Sequence, residues 1–398
     1  MLENEVKELL SKQGVRVPNG LAAGSVQEAV EAASKIPGPW VIKALIPMGK
    51  KGKAGLIRKV YDVDEVKKES ESLLDHEVNG YTIKSVLLEE QIEISQELYV
   101  SFAYDSLTRS PVMLFSPDGG VEIETVAKEN PDRLYTIPID ILTGLHPYMV
   151  REVCFKAGLS KEQTMAIAPI VTELYNLFQR YDAKLLEINP LALSGSGSPV
   201  AVGTLLNIDE EALFRHPELK TKVLYGQERS IGEMTEREKL VMEADQAAPG
   251  SGAMRFTEFK DGEIGFGIIG GGSSLTAIDT IIRKGSRPAN YCDLGPGKDF
   301  ERKLSVLYET VLNIPGLKAF ICGANIAGAV DVGNMAAITK RILKNSKINP
   351  QKLPILIRIA GYNDENIRQE FENWPGVYYY GSEISIEKAA EKVVDLIS

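Results

Sequence analysis

Two segments of the chain combine residue types that could bind a polyphosphate. The first is Gly49-Lys50-Lys51-Gly52-Lys53-Ala54-Gly55. Its glycines free the backbone to turn N–H groups inward, and its lysines add positive charge. It lacks the GK[ST] ending of a Walker A loop, and by itself it also suits a solvated basic hairpin. Lys43 sharpens the choice. It lies inside the apolar run Trp40–Ala44, where an ammonium is costly to bury unless it meets an anion. The second segment is LLEINPL, in which Glu187 and Asn189 are two apart and share one face of a strand. A carboxylate beside a carboxamide oxygen suits Mg²⁺, which takes a few protein oxygens together with substrate phosphates. Glu89 and Glu90 end an apolar strand where a hinge could meet a base, and Glu97 lies one strand later. Any one of these carboxylates could be a solvated strand end. Together with the lysines they favour a nucleotide–Mg²⁺ site.

A third candidate is the pair of glycine-rich loops near the C-terminus. Gly270-Gly271-Gly272-Ser273-Ser274 ends a strand and opens a helix, and the segment from Gly323 to Gly328 does the same one unit later. Bare N–H groups at helix N-termini hold anions, so the pair suits a carboxylate or phosphate, with Gly271, Gly272, Asn325 and Gly328 against it. Arg358, just before Gly361, could add a cation. The spacing is not GxGxxG, which argues against a dinucleotide.

Alternating periodicities place these residues on elements. Residues 4–12 form an amphipathic helix with Val6, Leu9 and Leu10 on one face, stopped by Gly14. Ser25 caps a second helix that ends at Pro37-Gly38-Pro39. Strands follow at Trp40–Ala44 and LIRKVYDV, then a helix over 64–76. YTIKSVLLEEQI, QELYVSFAYD and PVMLFSP are successive strands. Residues 161–180 are a long amphipathic helix, AKLLEINPLAL is a buried strand, and PVAVGTLLNID is its pairing partner. From residue 262 strands alternate with helices, which implies a parallel, doubly wound sheet. The expected layout is an α+β region over 1–225, a polar connector over 226–260 that contains a helical run, and an α/β domain over 261–398.

Composition bounds the function. The 398 residues carry 45 Lys+Arg and 55 Asp+Glu, a net charge of -10, which argues against a nucleic-acid binder. The first residues are charged and contain no apolar core of a signal peptide. No run approaches the ~18 apolar residues of a membrane span. Three separated cysteines suit a reducing cytoplasm, and neither a disulfide framework nor a zinc site. With only three histidines, His76, His146 and His216, none paired at ligand or triad spacing, histidine-based catalysis would have to come from elsewhere.

The motifs GPWVIKA, GKKGKAG, ELYVSFAYD, GGVEIETVAKENP, LTGLHPY, LLEINPLAL, NIDEEALFRHPEL and GSRPANYCDLG occur in the order seen in the β subunits of ADP-forming acid–CoA ligases. The chain resembles that family, typified by succinyl-CoA synthetase, over nearly its whole length. The resemblance implies an ATP-grasp fold followed by a flavodoxin-like domain, and ATP and Mg²⁺ as cofactors. It also implies a separate α subunit that carries a phosphorylated histidine and binds CoA. By position, Lys43, Lys51, Gly52 and Lys53 would hold phosphates, Glu89 would lie at the adenine hinge and Glu97 at the ribose. Asn189 would ligate Mg²⁺, and Glu187 would position the phosphohistidine. Where the family has an aspartate fourteen residues after the asparagine, this chain has Gly203, which predicts weakened metal binding and, in one reading, a divergent paralogue with impaired ATP turnover. The acid-binding loop also departs: Gly328-Ala329-Val330 is followed by Asp331 instead of arginine. Succinate is the simplest acid. The related ATP-citrate lyases and citryl-CoA synthetases make a citrate-type tricarboxylate the alternative.

Overall fold

The computed structural model describes residues 1–49, 51–106, 108–223, 234–248, 252–324, 331–346, 348–361 and 364–397. The chain divides into two compact units, Met1–Gln227 and Glu228–Ser398. The expected connector, residues 226–260, spans this division. Its residues include a helix and a strand that belong to the second unit, as described below.

The first unit opens with α1 (Glu3–Lys12), β1 (Gly20–Ala23), α2 (Val26–Lys35), β2 (Trp40–Ala44), β3 (Ile57–Val60) and α3 (Val63–Leu73). A two-residue hairpin, β4 (Glu77–Val78) and β5 (Tyr81–Thr82), leads to β6 (Val86–Glu90). Side-chain caps start the helices where the sequence places them: Ser25 accepts from the Glu28 N–H and Asp62 from the Glu65 N–H. β1, β6, β2 and β3 form a four-stranded antiparallel sheet in that order. Ile42, Val60, Val86 and Leu88 face Ala29, Val66 and Leu73 of the two covering helices in one core.

A second sheet follows. Its elements are β7 (Ile94–Asp105), β8 (Ser110–Ser116), α4 (Ile123–Glu129), β9 (Tyr135–Pro138), α5 (Pro147–Lys156), α6 (Lys161–Arg180), β10 (Ala183–Ser194), β11 (Pro199–Ala201) and β12 (Thr204–Ile208). The order is β11-β10-β7-β8-β9, with β12 also on β10. The single partner strand expected from PVAVGTLLNID is therefore two. β11 pairs with Leu191–Leu193 and β12 with residues 183–188 of β10, and the break falls at Val202-Gly203. α6 starts with a capping box in which Ser160 and Gln163 exchange hydrogen bonds. It buries Ile167, Val171, Leu174 and Phe178 against this sheet.

α1 joins the two sheets. Val6, Leu9 and Leu10 pack into the core of the second sheet, each apolar side chain contributing roughly 1.5–3 kcal/mol. On the same helix Glu3 and Lys7 reach the first sheet, as the site description shows. Spacing 3, 6, 7, 10 is one helical face, so this face carries both oil and charge.

The second unit contains α7 (Glu236–Gln246), β13 (Met254–Glu258), β14 (Ile264–Ile269), α8 (Gly272–Arg283), β15 (Asn290–Leu294), α9 (Phe300–Leu312), β16 (Ala319–Ala324), α10 (Val332–Asn345), β17 (Ile355–Ile359), α11 (Asp364–Phe371), β18 (Val377–Tyr380) and α12 (Ile386–Asp395). α7 and β13 lie in the expected connector. Thr235 and Glu238 form a capping box that starts α7, and β13 pairs antiparallel with β15 over residues 254–258.

β14, β16, β17 and β18 form a parallel sheet in that order. β15 flanks β14 on the other side, where the Asn290 carboxamide acts as a substitute peptide. Its Oδ1 accepts from the Phe266 N–H at 2.9 Å and its Nδ2 donates to the Phe266 carbonyl at 2.7 Å. Counting β14 as the first strand, the order is 2-1-3-4-5, the flavodoxin-like arrangement that the family resemblance implies. α8 packs on α12, while α9 lies against α7 and α10 and α10 lies against α11. Two separate helix groups therefore cover the sheet, as a doubly wound fold requires.

Asn290 is fully buried. Asn290→Ala leaves the Phe266 N–H unpaired and its carbonyl with only the weak Cys292 thiol donor, and is expected to cost about 1–3 kcal/mol, read as an earlier urea transition of the second unit.

Candidate nucleotide and acid sites

In the first unit the charged side chains converge on a buried ring. The Lys43 ammonium donates to Glu3 Oε1 at 2.8 Å, to Glu89 Oε1 at 2.5 Å and to the Val202 carbonyl at 2.9 Å. Lys7 reaches Glu89 Oε2 at 2.5 Å and Glu3 Oε1 at 3.0 Å. Lys7, Glu89, Lys43 and Glu3 thus close a four-membered ring, and Lys51 joins it from outside at Glu3 Oε2, 2.6 Å away. Burial by itself would raise the Glu3 pKa, but the charges of Lys43, Lys7 and Lys51 hold it well below the usual carboxylate range. Burial likewise opposes the Lys43 charge, yet Glu3 and Glu89 raise its pKa. Lys7 is lowered by burial and by the Lys43 charge, which Glu3 and Glu89 only partly offset.

This arrangement gives Lys43 and Glu89 protein partners that the sequence motifs did not indicate. Lys43 meets its anion, as a buried lysine must, but the anions are Glu3 and Glu89. All three of its donors are used and only 3% of the residue is exposed, so Lys43 is a strut between sheets in this conformation and offers no donor to a phosphate. The Glu89 carboxylate is 1% exposed with both oxygens on lysines. Glu3, Lys7 and the Val202 carbonyl were not foreseen. The signal for the first two was present: they sit four apart on the face of α1 that carries Val6 and Leu10, where solvated charges do not belong.

Around the ring lie the other candidates. Lys51 and Lys53 belong to the basic loop, and Lys53 Nζ lies 3.0 Å from Glu122 of the GGVEIE segment while remaining largely exposed. That segment is fixed to Asn189. The Gly120 N–H donates to Asn189 Oδ1 at 2.8 Å, and Asn189 Nδ2 donates to the Val121 carbonyl at 3.0 Å. Gly120 sits at φ +72°, which favours glycine, and a Cβ there would meet Glu97 Oε2 at 1.9 Å and displace that carboxylate. Glu187, half-buried two residues before Asn189, accepts from the Tyr99 hydroxyl at 3.4 Å. Burial and the Glu187 charge raise the Tyr99 pKa. Lys51, Gly52 and Lys53, Glu122, Glu97, Glu187 and Asn189 thus gather along one connected path between the sheets. Gly52 has open space where a side chain would be.

In the second unit, Gly271 and Gly272 stand at the carboxyl end of β14, beside β16 at the point where strand order reverses. Crevices at such points are where open α/β sheets hold ligands. The N–H groups of Gly270 and Gly271 are already donated to Asp293 Oδ1, at 3.0 and 3.2 Å, so the loop carries its own carboxylate. Asn325 and Gly328 lie outside the described residues. Arg358 is buried, with Nη1 donating to the Ala324 carbonyl at 3.1 Å and Nη2 to the Ile384 carbonyl at 3.0 Å. It braces loops at this edge instead of presenting an open cation. All three cysteines are buried thiols. Among the described residues no helix is long and apolar enough to cross a membrane.

The ATP-grasp domain model matches residues 1–193. The chain is 34% identical to the β subunit of ADP-forming succinate–CoA ligase of Halorubrum lacusprofundi, over 91% of this chain and 90% of that one. It is 32% identical to its counterpart in Rubrobacter xylanophilus, over 100% and 98%. The chain belongs to the β-subunit family of ADP-forming succinate–CoA ligases. Its fold is also that of the ATP citrate lyase of Methanothrix soehngenii, solved with citrate and coenzyme A, at a TM-score of 0.80 and 20% identity over 99% of both chains.

Against this family, Gly203 has a structural consequence. Its carbonyl accepts from the Asn189 N–H at 2.8 Å, and a Cβ on it would lie 2.1 Å from the Asn189 carbonyl oxygen. The backbone has closed onto the asparagine, leaving no room for the aspartate that the family resemblance puts there. Among the described residues no three acidic or imidazole groups converge as a metal site. The donors present, Glu187 and the second lone pair of Asn189 Oδ1, fit a Mg²⁺ that is held largely by phosphate oxygens, and do not fit one held by protein alone.

Three outcomes are expected. Gly203→Ala should cost about 1–3 kcal/mol by overpacking, seen as a lower melting temperature. Glu89→Ala leaves the buried Lys7 and Lys43 ammonium groups to share the single Glu3 carboxylate and should cost about 3–5 kcal/mol. Because the folded-state pKa of Glu3 is depressed, its contribution is present above its ordinary value of 4.5 and is lost as pH falls toward the folded value. Thermal unfolding between pH 6 and 3 should therefore fall more steeply for the wild type than for Glu3→Gln.

Proposed function

We propose that this chain is the nucleotide-handling β subunit of an ADP-forming carboxylic acid–CoA ligase, with succinate as the acid. ATP gives its γ-phosphoryl group to a histidine nitrogen of a separate α subunit and leaves as ADP. The phosphohistidine then passes the group to a carboxylate, regenerating histidine and forming an acyl phosphate. The CoA thiol displaces phosphate to give the thioester. The observation that carries this reading is the path joining the basic loop, through Lys53 and Glu122, to Gly120, Val121 and Asn189. It connects a cationic glycine loop to an oxygen-bearing strand, the pairing that phosphoryl transfer needs for positioning and charge neutralisation.

Within it, Lys51 and Lys53 bind phosphate oxygens and Glu97 lies where a ribose hydroxyl could donate. Glu187, on the same strand face as Asn189, orients the incoming imidazole. Mg²⁺, which Asn189 and Glu187 would hold together with phosphate oxygens, neutralises charge on the transferred group. The acid fits the crevice at the carboxyl ends of β14 and β16, where Gly272 begins α8 and Arg358 braces the adjoining loops. The paucity of histidine in this chain is consistent with a phosphorylated residue on another subunit, and the identity to succinate–CoA ligase β subunits supports succinate.

The test is co-expression with the candidate α subunit and incubation with [γ-³²P]ATP at millimolar Mg²⁺. The expected result is acid-labile, base-stable label on the α subunit, discharged by succinate with CoA. Absence of label overturns the reading, and discharge by citrate but not by succinate reassigns the acid.

A further inference from the structure

The ring of Lys7, Glu89, Lys43 and Glu3 is complete without Lys51. It holds two carboxylates and two ammonium groups, and every carboxylate oxygen except Glu3 Oε2 is taken within it. Lys51 binds that remaining oxygen and is the surplus cation of the cluster. It is also more accessible than the ring lysines, with 11% of its side chain exposed against 4% and 6% for Lys43 and Lys7.

The loop that carries Lys51 has few other attachments. Side chains placed on Gly49, Gly52 or Gly55 would meet nothing within 4 Å, so the loop stands clear of the body of the unit. Among the described residues, the long-range side-chain bonds of the loop are Lys51 to Glu3 and the exposed Lys53 to Glu122. Arg58, just beyond it, donates to the Gly55 carbonyl at 3.0 Å. An exposed pair contributes at most about 1 kcal/mol, so the buried end of the Lys51–Glu3 contact is the firm one.

We infer that Glu3 is a positioning residue for the nucleotide site: it holds the basic loop through Lys51 in the nucleotide-free protein, and a nucleotide phosphate takes over Lys51 while the four-charge ring stays intact. The exchange conserves charge balance, because the ring left behind is neutral and the phosphate receives the cation that the ring does not need. Helix α1, through one carboxylate, thereby sets where the loop waits. The second half of the inference rests on the nucleotide reading above. The first half does not.

Hydrogen exchange followed by mass spectrometry on the full-length chain tests it. Without nucleotide, Lys51→Met and Glu3→Gln should each speed exchange in the segment 51–56 about tenfold while leaving α6 at the wild-type rate. Lys51→Arg, which keeps the ion pair, should retain wild-type protection. Saturating ATP should restore protection in Glu3→Gln, whose Lys51 can still meet phosphate, but not in Lys51→Met. Unchanged exchange of the segment in Lys51→Met overturns the inference, and so does equal acceleration of segment 51–56 and α6 in a Glu3→Gln protein that still folds. If Glu3→Gln does not fold, the Lys51→Met and Lys51→Arg pair decides. Equilibrium dialysis of ATP separates the two readings. ATP that binds without protecting the Glu3→Gln loop refutes the handover, whereas no ATP binding to the wild type refutes the nucleotide assignment and the handover together, with the nucleotide-free comparison still deciding the hold.

Discussion

The buried ring of two carboxylates and two ammonium groups is the contact on which the first unit depends, because it ties α1 to the neighbouring strands β2 and β6 of the first sheet. Glu3 and Lys7 ride on α1, Lys43 on β2 and Glu89 on β6. Apolar side chains of the same helix are committed to the other sheet. A single helix thus has its oil in one layer and its charges in the next. Desolvating four ions is expensive, and their mutual attraction offsets it only when each has more than one partner. Here each ion has at least two. That redundancy allows the ring to sit at less than a tenth of full exposure without a compensating solvent contact.

A second constraint is steric. At two points the candidate nucleotide site is built from glycines whose missing Cβ atoms are filled by something else. At Gly120 the occupant is the Glu97 carboxylate, and at Gly203 it is the Asn189 backbone. The first lets the GGVEIE segment lie across β7 and donate to Asn189. The second splits the strand after the Ser-rich turn in two, frees the Val202 carbonyl for Lys43 and draws the neighbouring peptide against Asn189. In this chain the glycine at 203 therefore changes more than a ligand. It allows the backbone to occupy the volume where a metal-binding side chain would otherwise stand.

Most elements were legible because their signals are local. Ser25, Ser160 and Asp62 cap where they stand, and Trp40–Ala44 is a strand from its composition alone. The parallel, doubly wound sheet of the second unit followed from alternation of strands and helices, and its flavodoxin-like order from the family resemblance. The destination of long charged side chains was not legible. Lys43 was correctly marked as needing an anion, but the sequence offers a phosphate and Glu3, forty residues away, with equal plausibility. Only the packing of α1 decides. The same holds for Arg358, whose donors end on the Ala324 and Ile384 carbonyls, and for the anion-ready Gly270-Gly271 loop, whose N–H groups are claimed by Asp293. Within the connector expected over 226–260, the helical run is α7, opened by the capping box of Thr235 and Glu238. The short strand β13 carried no local signal, because its partner β15 lies far along the chain.

The attachment of β15 has a consequence for how the second unit can vary. Beyond Ala289 this strand is fastened to β14 through side chains: the Asn290 carboxamide, the Cys292 thiol at 3.2 Å from the Phe266 carbonyl, and the Asp293 carboxylate. A backbone ladder accepts almost any β-former at a given position, since the peptide groups make the bonds. A strand hung on side chains does not. Substitutions at 290, 292 and 293 are constrained as the contact residues of an interface are. The wall of the crevice they form can therefore be loosened or reset by single changes that leave the rest of the sheet untouched.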